Sequence, residues 1–561
     1  MIPPAEILTP SKRFWRLLKP DKKDITQVYV YSIFSGLISL SLPLGIQAIV
    51  NLIQGGQINT SWIVLVVIVI FGLFFSGLLQ IMQMRITENL QQKIFTRAAF
   101  EFAYRIPRIR MEALYKHYAP ELMNRFFDII SVQKGLSKIL IDFSSAALQV
   151  IFGLILLCLY HPFFIIFSLV LITIVYAIFR FSGQRGLATS LDESNYKYKV
   201  AHWLEEIART NMSFKLAGSS ELPLEKTDGY VKSYLGARES HFKILVGQFS
   251  LLILFKVLVA TGLLVIGGIL VMNQQMNIGQ FVAAEIIILL IMSSVEKLIL
   301  SIETVYDILT SLEKIGQVTD LPLERVGGIN LDKEGLKVGM HIRLEHVNFS
   351  YPGAMIKTLE DLNLEIMSGE KICLTGQNGS GKSTLLQILG GLYEPQSGSV
   401  AFNDLPFGNI NLDSFRSVVG DTLSQEQIFR CTLEENVSSG RARIDFNRIK
   451  SVCDSIGLTD FIRQLPNGYN TLLDPGGRRL PRSIVQKILI ARSIAAAPRL
   501  LLLENTMDQI EVNQRHRIID FLCDSSQPWT MIAISSDPYF LGKADRVINM
   551  EDGKVNGFLG K

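Results

Sequence analysis

GQNGSGKST, residues 376–384, is the stretch on which the reading of this 561-residue chain turns. It fits G-x-x-x-x-G-K-[ST], whose physical content is a tight turn of backbone N–H groups closing around phosphate oxygens. Gly376, Gln377, Asn378, Gly379, Ser380 and Gly381 form the turn, Lys382 reaches the outer phosphates, and Ser383, followed by Thr384, offers a hydroxyl to Mg2+. The flanks agree with this. KICLT (371–375) reads as a short buried strand entering the turn, and TLLQILGGL (384–392) as an apolar-periodic helix leaving it, so a helix N-terminus faces the phosphates. The sequence therefore predicts a nucleotide-binding loop.

Working outward, composition divides the chain in two. Apolar residues make up 48%, mean hydropathy is +0.30, and the long charge-poor runs all lie before about residue 305. A membrane domain is expected there. The net charge is only +4, and basic residues flank apolar spans instead of clustering on a soluble domain, which argues against nucleic acid as a partner. Cys158, Cys373, Cys431, Cys453 and Cys523 are odd in number and lack metal-ligand spacing. Four of them fall in the soluble part, which implies a reducing environment without a disulfide framework.

Taken in order, residues 1–24 hold SKRFWRLLKPDKK (11–23), with basic residues around Phe14, Trp15, Leu17 and Leu18. An interfacial helix on membrane lipid is expected. The first apolar run is longer than a signal-peptide core and lacks a small-residue cleavage site, so neither a cleavable leader nor a preceding soluble domain is expected. Six spans follow, at about residues 25–53, 61–82, 136–160, 162–181, 245–272 and 278–306, within a domain running from 25 to 320. The short connections carry no Lys or Arg, whereas the N-terminus and the long connections 84–135 and 182–244 are rich in both. The positive-inside rule puts the N-terminus, both long connections and the C-terminal domain in the cytoplasm. The long connections have helical periodicity, so they prolong the membrane helices, with turns expected near residues 118–123 and 210–218.

Lys256, Glu285 and Glu296 are charges within spans, and Asp142 lies near a cytoplasmic end. At ~1.5 Å per residue, Lys256 and Glu296 lie at matching depths of ~24 and ~25 Å, and Glu285 at only ~9 Å. Lys256 is therefore expected to pair with Glu296, and Glu285 to face a watery cavity. Glycines 327, 328, 335 and 339 mark residues 321–340 as a domain linker. From residue 341, short strands alternate with helices, the pattern of an α/β domain.

At this point the chain resembles the ATP-binding cassette (ABC) exporters, specifically a half-transporter with a six-helix membrane domain followed by one α/β P-loop nucleotide-binding domain over residues 341–561. NIGQFVAA before the sixth span and LPNGYNT late in the domain look most like the type I protein-secretion and bacteriocin-export branch, without the peptidase domain some of its members carry. The resemblance implies ATP and Mg2+ as cofactors and a dimer, either a homodimer or a heterodimer with another ABC half-transporter. It also implies a multi-pass protein of a bacterial inner membrane, an envelope-spanning adaptor as partner and a peptide or protein substrate.

Residue by residue, the resemblance implies that Tyr351, in FSYPG, stacks on adenine and that residues 376–384 hold the phosphates. The catalytic positions depart from the family. Ser424 stands where a glutamine senses Mg2+ and the attacking water, with Gln425 one residue late. The signature, normally Leu-Ser-Gly-Gly-Gln, reads LPRSI (480–484): Pro481 lacks an N–H and Arg482 crowds a glycine position. Glu504 replaces the metal-binding aspartate, which makes Ser383 and Glu504 the expected metal residues. Asn505 replaces the general base and cannot accept a proton. Glu511 replaces an aspartate, and Ser536 stands at the switch-histidine position. The expectation is a transporter subunit that binds ATP and hydrolyses it slowly or not at all. The alternative is a non-transporting membrane component that uses ATP for regulation or structure.

Overall fold

The structure, a computed structural model, describes residues 9–54, 60–115, 117–331, 339–423, 428–441 and 444–560. It divides into two compact units, one of Met1–Arg108 with His117–Pro322 and one of Ile109–Lys116 with Leu323–Lys561.

In the first unit, α1 (Pro10–Leu18) precedes a broken first span made of α2 (Lys22–Ser39) and α3 (Ser41–Gln54). The break has a local cause: Pro43 has no N–H to give the Ser39 carbonyl. Next come α4 (Thr60–Arg105), then α5 (Met111–Leu114), which belongs to the second unit, and α6 (Ala119–Met123). Two π turns, Ile139–Phe143 and Leu263–Gly267, join α7 (Asp128–Lys138) to α8 (Ser144–Tyr160) and α11 (Leu222–Gly262) to α12 (Gly268–Met272). Between them lie α9 (Phe163–Arg209) and α10 (Asn211–Leu216), and α13 (Ile278–Thr319) ends the unit. Among the described residues, six helices are long and apolar enough to cross a membrane, and each contains one of the expected spans.

Helices α4 and α9 have 46 and 47 residues. At ~1.5 Å per residue each is ~70 Å long, more than twice the ~30 Å of bilayer hydrocarbon. The long connections are thus continuations of the membrane helices, as their periodicity predicts. The second turn falls at α10, where it was expected. The first does not: Pro107 ends α4 early, the segment Ile109–Lys116 joins the second unit, and residues 119–123 are already the returning helix.

Close crossings hold the bundle. A Cβ on Gly153 would stand 2.9 Å from Ile291, and one on Gly135 2.7 Å from Ile308, so α7 and α8 meet α13 where side chains are missing. Polar pairs add direction: Ser294 donates to Gln149 at 2.8 Å and Tyr160 to Gln47 at 2.7 Å. Lys256 Nζ donates to Glu296 Oε2 at 2.7 Å, the pairing that matched depth predicts. Glu285 is half-buried and makes no ion pair among the described residues. On α1, Phe14 and Leu17 pack against Val132, Ile308 and Leu312, and Arg13 pairs with Asp320 at 2.8 Å. Trp15, on the outer side of α1, is 69% exposed.

Among its described residues, the second unit has two sheets. An antiparallel one orders β2 (Leu359–Ile366), β1 (Ile342–Phe349), β4 (Ser397–Phe402) and β5 (Leu405–Pro406). The other runs β10 (Lys554–Gly560), β9 (Arg546–Glu551), β3 (Lys371–Thr375), β8 (Thr530–Ile534), β7 (Leu500–Glu504) and β6 (Val419–Asp421). Strands β9, β3, β8, β7 and β6 are parallel neighbours, and β3, β7 and β8 are continuous apolar runs because both sheet faces are covered. Trp529, at the start of β8, is 1% exposed and donates its indole N–H to Leu522 O at 3.1 Å. The expected linker is in part a docked strap: Glu324 takes a two-pronged bond from Arg416 at 2.6 and 2.7 Å, and Arg325 donates to Glu394, Phe407 O and Ile410 O. Residues 332–338 lie outside the described residues.

Candidate functional site: a phosphate loop with altered neighbours

Strand β3 delivers the chain to the loop, and α14 (Lys382–Leu389) carries it away. The glycines are there for steric reasons. Gly376 (φ +136°), Gly379 (φ +87°) and Gly381 (φ +94°) all have backbone that side-chain-bearing residues rarely adopt. A Cβ on Gly381 would stand 2.7 Å from Leu359 Cδ2 and 2.9 Å from Thr358 O, and one on Gly376 would run into Met550 O. Next to Gly379 there is open space. The turn is therefore walled on its inner side and open outward.

Lys382 Nζ donates to Gly376 O at 2.8 Å, Gln377 O at 2.7 Å and Ser380 Oγ at 3.2 Å, which suspends the ammonium over the turn. Partial burial lowers its pKa from the usual lysine range, and the Glu504 carboxylate opposes that shift. Ser383 Oγ donates to Glu504 Oε1 at 2.5 Å, so the two residues expected to meet a metal are already neighbours. Glu504 is held at the end of β7, its N–H bonded to Thr422 Oγ1 at 3.1 Å, and Thr422 is bonded in turn to Thr506 at 2.9 Å. A glycine-walled turn, a half-buried ammonium and an adjoining hydroxyl–carboxylate pair fit a nucleoside triphosphate with a hard divalent cation.

Beyond the loop, Asn505 is exposed and left-handed (φ +44°), with its N–H on Ile534 O at 3.2 Å. Asparagine tolerates that backbone better than glutamate does. Ser536 is exposed one residue after Ser535, whose hydroxyl accepts the Asp537 N–H at 3.1 Å. Ser424 and Gln425 lie outside the described residues. LPRSI leads into the helix Arg482–Ala495, with Pro481 as its cap residue, so one N–H that could face a phosphate is missing. Further along that helix, Arg492 donates to Asn436 O at 2.7 Å and Oδ1 at 2.9 Å, which fixes it against the helix Leu433–Ser438.

Tyr351 is tethered to the same loop. Its hydroxyl donates to Gln387 Oε1 at 2.8 Å and shares a 3.0 Å hydrogen bond with Thr384, while Phe349 and Tyr393 pack edgewise on its ring. A planar ring thus stands beside the phosphate cradle. Sequence reasoning missed Gln387 and Thr422, which act through other residues. Gln387 was legible as the residue one turn on from Ser383 and Thr384, on the polar face of α14.

These features define a class: a multi-pass membrane protein that carries a P-loop nucleotide-binding domain. Residues 28–295 match the ABC transporter transmembrane region and residues 359–507 the ABC transporter domain. The chain belongs to the ABC transporters, as an exporter-type half-transporter, and ATP binding with Mg2+ comes with that family. It is 26% identical over 359 residues to the leukotoxin translocation ATP-binding protein LktB of Mannheimia haemolytica, a match covering 63% of this chain and 50% of LktB. It is 32% identical over 257 residues to ABC transporter B family member 29, chloroplastic, of Arabidopsis thaliana, covering 46% of this chain and 39% of that protein. The chain thus spans half or less of the length of these relatives. The solved structure of a bacterial Atm1-family ABC exporter with ATP bound shares its fold, with a TM-score of 0.84 at 15% identity over 96% of this chain and 95% of the other.

Proposed function

We propose that this chain is an ABC exporter subunit that clamps Mg2+-ATP on residues 376–384 and turns it over slowly or not at all. One observation carries the reading: the loop, Lys382 and the Ser383–Glu504 contact are built as a cradle, while Asn505 and Ser536 occupy the positions where proton transfer would be handled. In the cradle, backbone N–H groups of the turn and the N-terminus of α14 orient the β- and γ-phosphates, and Lys382 neutralises charge on them. Ser383 and Glu504 hold the cation, which screens the phosphate charge when bound. Tyr351 supplies a stacking plane for the base. Asn505 is able to hold a water by hydrogen bonds but takes no proton from it, and loss of a general base costs on the order of 10²- to 10⁴-fold. Pro481 and Arg482 weaken the contact that a second chain's phosphates would receive, and these losses do not multiply independently.

The subunit works as a dimer, with itself or with an active half-transporter, in a bacterial inner membrane with the nucleotide-binding domain cytoplasmic and Trp15 of α1 at the lipid surface. The positive-inside pattern of the long connections supports that orientation. A peptide or protein substrate and an envelope-spanning adaptor are supported by the secretion-branch motifs and by the similarity to a leukotoxin translocation protein. The test is ATP turnover by the full chain in lipid, alone and with any co-purifying partner, beside Lys382→Ala. Turnover alone is expected to stay near the Lys382→Ala background while ATP binding is lost in that variant. Robust turnover by the chain alone, abolished by Lys382→Ala, would overturn the proposal.

A further inference from the structure

The segment Ile109–Lys116 packs within the nucleotide-binding unit, although both ends of the segment continue into the membrane unit. Its anchor is short-range and specific: Ile109 bridges Leu323, Arg110 reaches Glu394 at 3.5 Å, and Tyr115 lies on Tyr351. The two tyrosine rings are 5.3 Å apart at their centroids and 18° from parallel, an offset stack. Tyr351 is held rigidly for this contact, since its hydroxyl is tied to Thr384 and Gln387 and its ring is braced by Phe349 and Tyr393. Tyr115, by contrast, is 52% exposed and directly follows the four-residue helix α5, whose N-terminus has no capping side chain.

The pair therefore joins a fixed plate to a movable one. At 5.3 Å the rings leave no gap for a third plane, which would need roughly twice the ~3.5 Å contact distance between stacked carbon atoms.

Resting on the reading of Tyr351 as the base platform, we propose that Tyr115 competes with the purine base of ATP for one face of Tyr351, and so sets the affinity and base preference of the site. Base binding and the Tyr115 stack are mutually exclusive. Nucleotide arrival then displaces a segment whose two ends run into α4 and α6 of the membrane unit. Tyr115 is a positioning residue here: it acts on the nucleotide through the plate that it vacates.

The test measures binding of ATP, and of inorganic tripolyphosphate as a base-free probe, to the full-length protein in lipid nanodiscs by calorimetry. Tyr115→Ala is expected to bind ATP about two- to tenfold more tightly, the range of one stacked aromatic pair, with tripolyphosphate affinity unchanged. Tyr115→Leu keeps apolar bulk without a plane and is expected to behave in the same way, which guards against a folding defect in the alanine variant. In a Tyr351→Ala background the gain from Tyr115→Ala should vanish. Unchanged or weaker ATP binding by both Tyr115 variants, or an equal gain for tripolyphosphate, would overturn the competition. The platform reading is tested separately in the Tyr115→Ala background, where no competing stack remains: if adding Tyr351→Ala does not lower ATP affinity there, Tyr351 is not the base platform and the competition fails with it.

Discussion

Replacing Glu504 with glutamine keeps the shape of the side chain and removes its charge. The Ser383 hydroxyl stands 2.5 Å from Glu504 Oε1, and a Mg2+–oxygen bond is ~2.1 Å. A cation ligated by Ser383 therefore lies no farther than ~4.6 Å from that carboxylate oxygen, by the sum of those two lengths. A doubly charged ion and one carboxylate at ~4.6 Å interact by about 1.8 kcal/mol even with full aqueous screening, or about 20-fold in affinity. The half-buried setting of Glu504 screens less than bulk water, so this is a lower bound. We expect Glu504→Gln to raise the Mg2+ concentration needed for half-maximal ATP binding by at least about 20-fold. In chelator, the variant is expected to bind ATP as well as the parent or better, because a negative charge beside the triphosphate is gone. The assay is ATP binding to nanodisc-embedded protein across a Mg2+ titration. A shift of the Mg2+ midpoint below about threefold would refute the reasoning. Equal weakening with and without Mg2+ would do so too, by showing that Glu504 shapes the loop through Ser383 and not the metal.

Three further outcomes follow from named contacts. Gly381→Ala places a Cβ against Leu359 and Thr358 on a left-handed backbone, and is expected to weaken ATP binding about five- to thirtyfold, the equivalent of the ~1–2 kcal/mol strain of that conformation; unchanged binding would show that the loop relaxes freely. Asn505→Glu alone should raise turnover by less than about tenfold, because Ser536 and LPRSI remain, and should lower stability by about 1 kcal/mol through its left-handed backbone; a gain of 10²-fold or more would mean the base was the one missing part. Neutralising either Lys256 or Glu296 leaves a lone charge in a span, at about 2.5–3.5 kcal/mol on insertion scales, so each single variant should lower the yield of folded protein. Exchanging the two charges should recover it, measured by size-exclusion after heating; no recovery would mean that the 2.7 Å contact is incidental.

What the sequence made legible was local or periodic. The phosphate loop, its entering strand and its leaving helix are encoded within 22 consecutive residues, 371–392. The spans follow from run length, and the Lys256–Glu296 pairing from counting depth along straight helices. What escaped depends on distant partners. Nothing near Glu324 and Arg325 says that Arg416 and Glu394 will pin them, so a glycine-marked linker turned out to be partly docked. The first cytoplasmic turn was misplaced because helical periodicity outweighed a lone Pro107, which decides where α4 stops. Tyr115 carried no signal at all, since it meets Tyr351 across more than 200 residues of sequence.

The placement of tryptophan gives the protein a built-in optical reporter. Of the four tryptophans, Trp15, Trp62 and Trp203 lie in the membrane unit, and Trp529 alone lies in the nucleotide-binding unit. Its indole is enclosed at the start of β8 with its N–H engaged by Leu522, so its emission is blue-shifted in the folded unit and moves to the red when β8 meets water. A variant with phenylalanine at the other three positions would isolate that emission. It would then report melting of the nucleotide-binding unit separately from the membrane helices, in the intact chain and without an added dye.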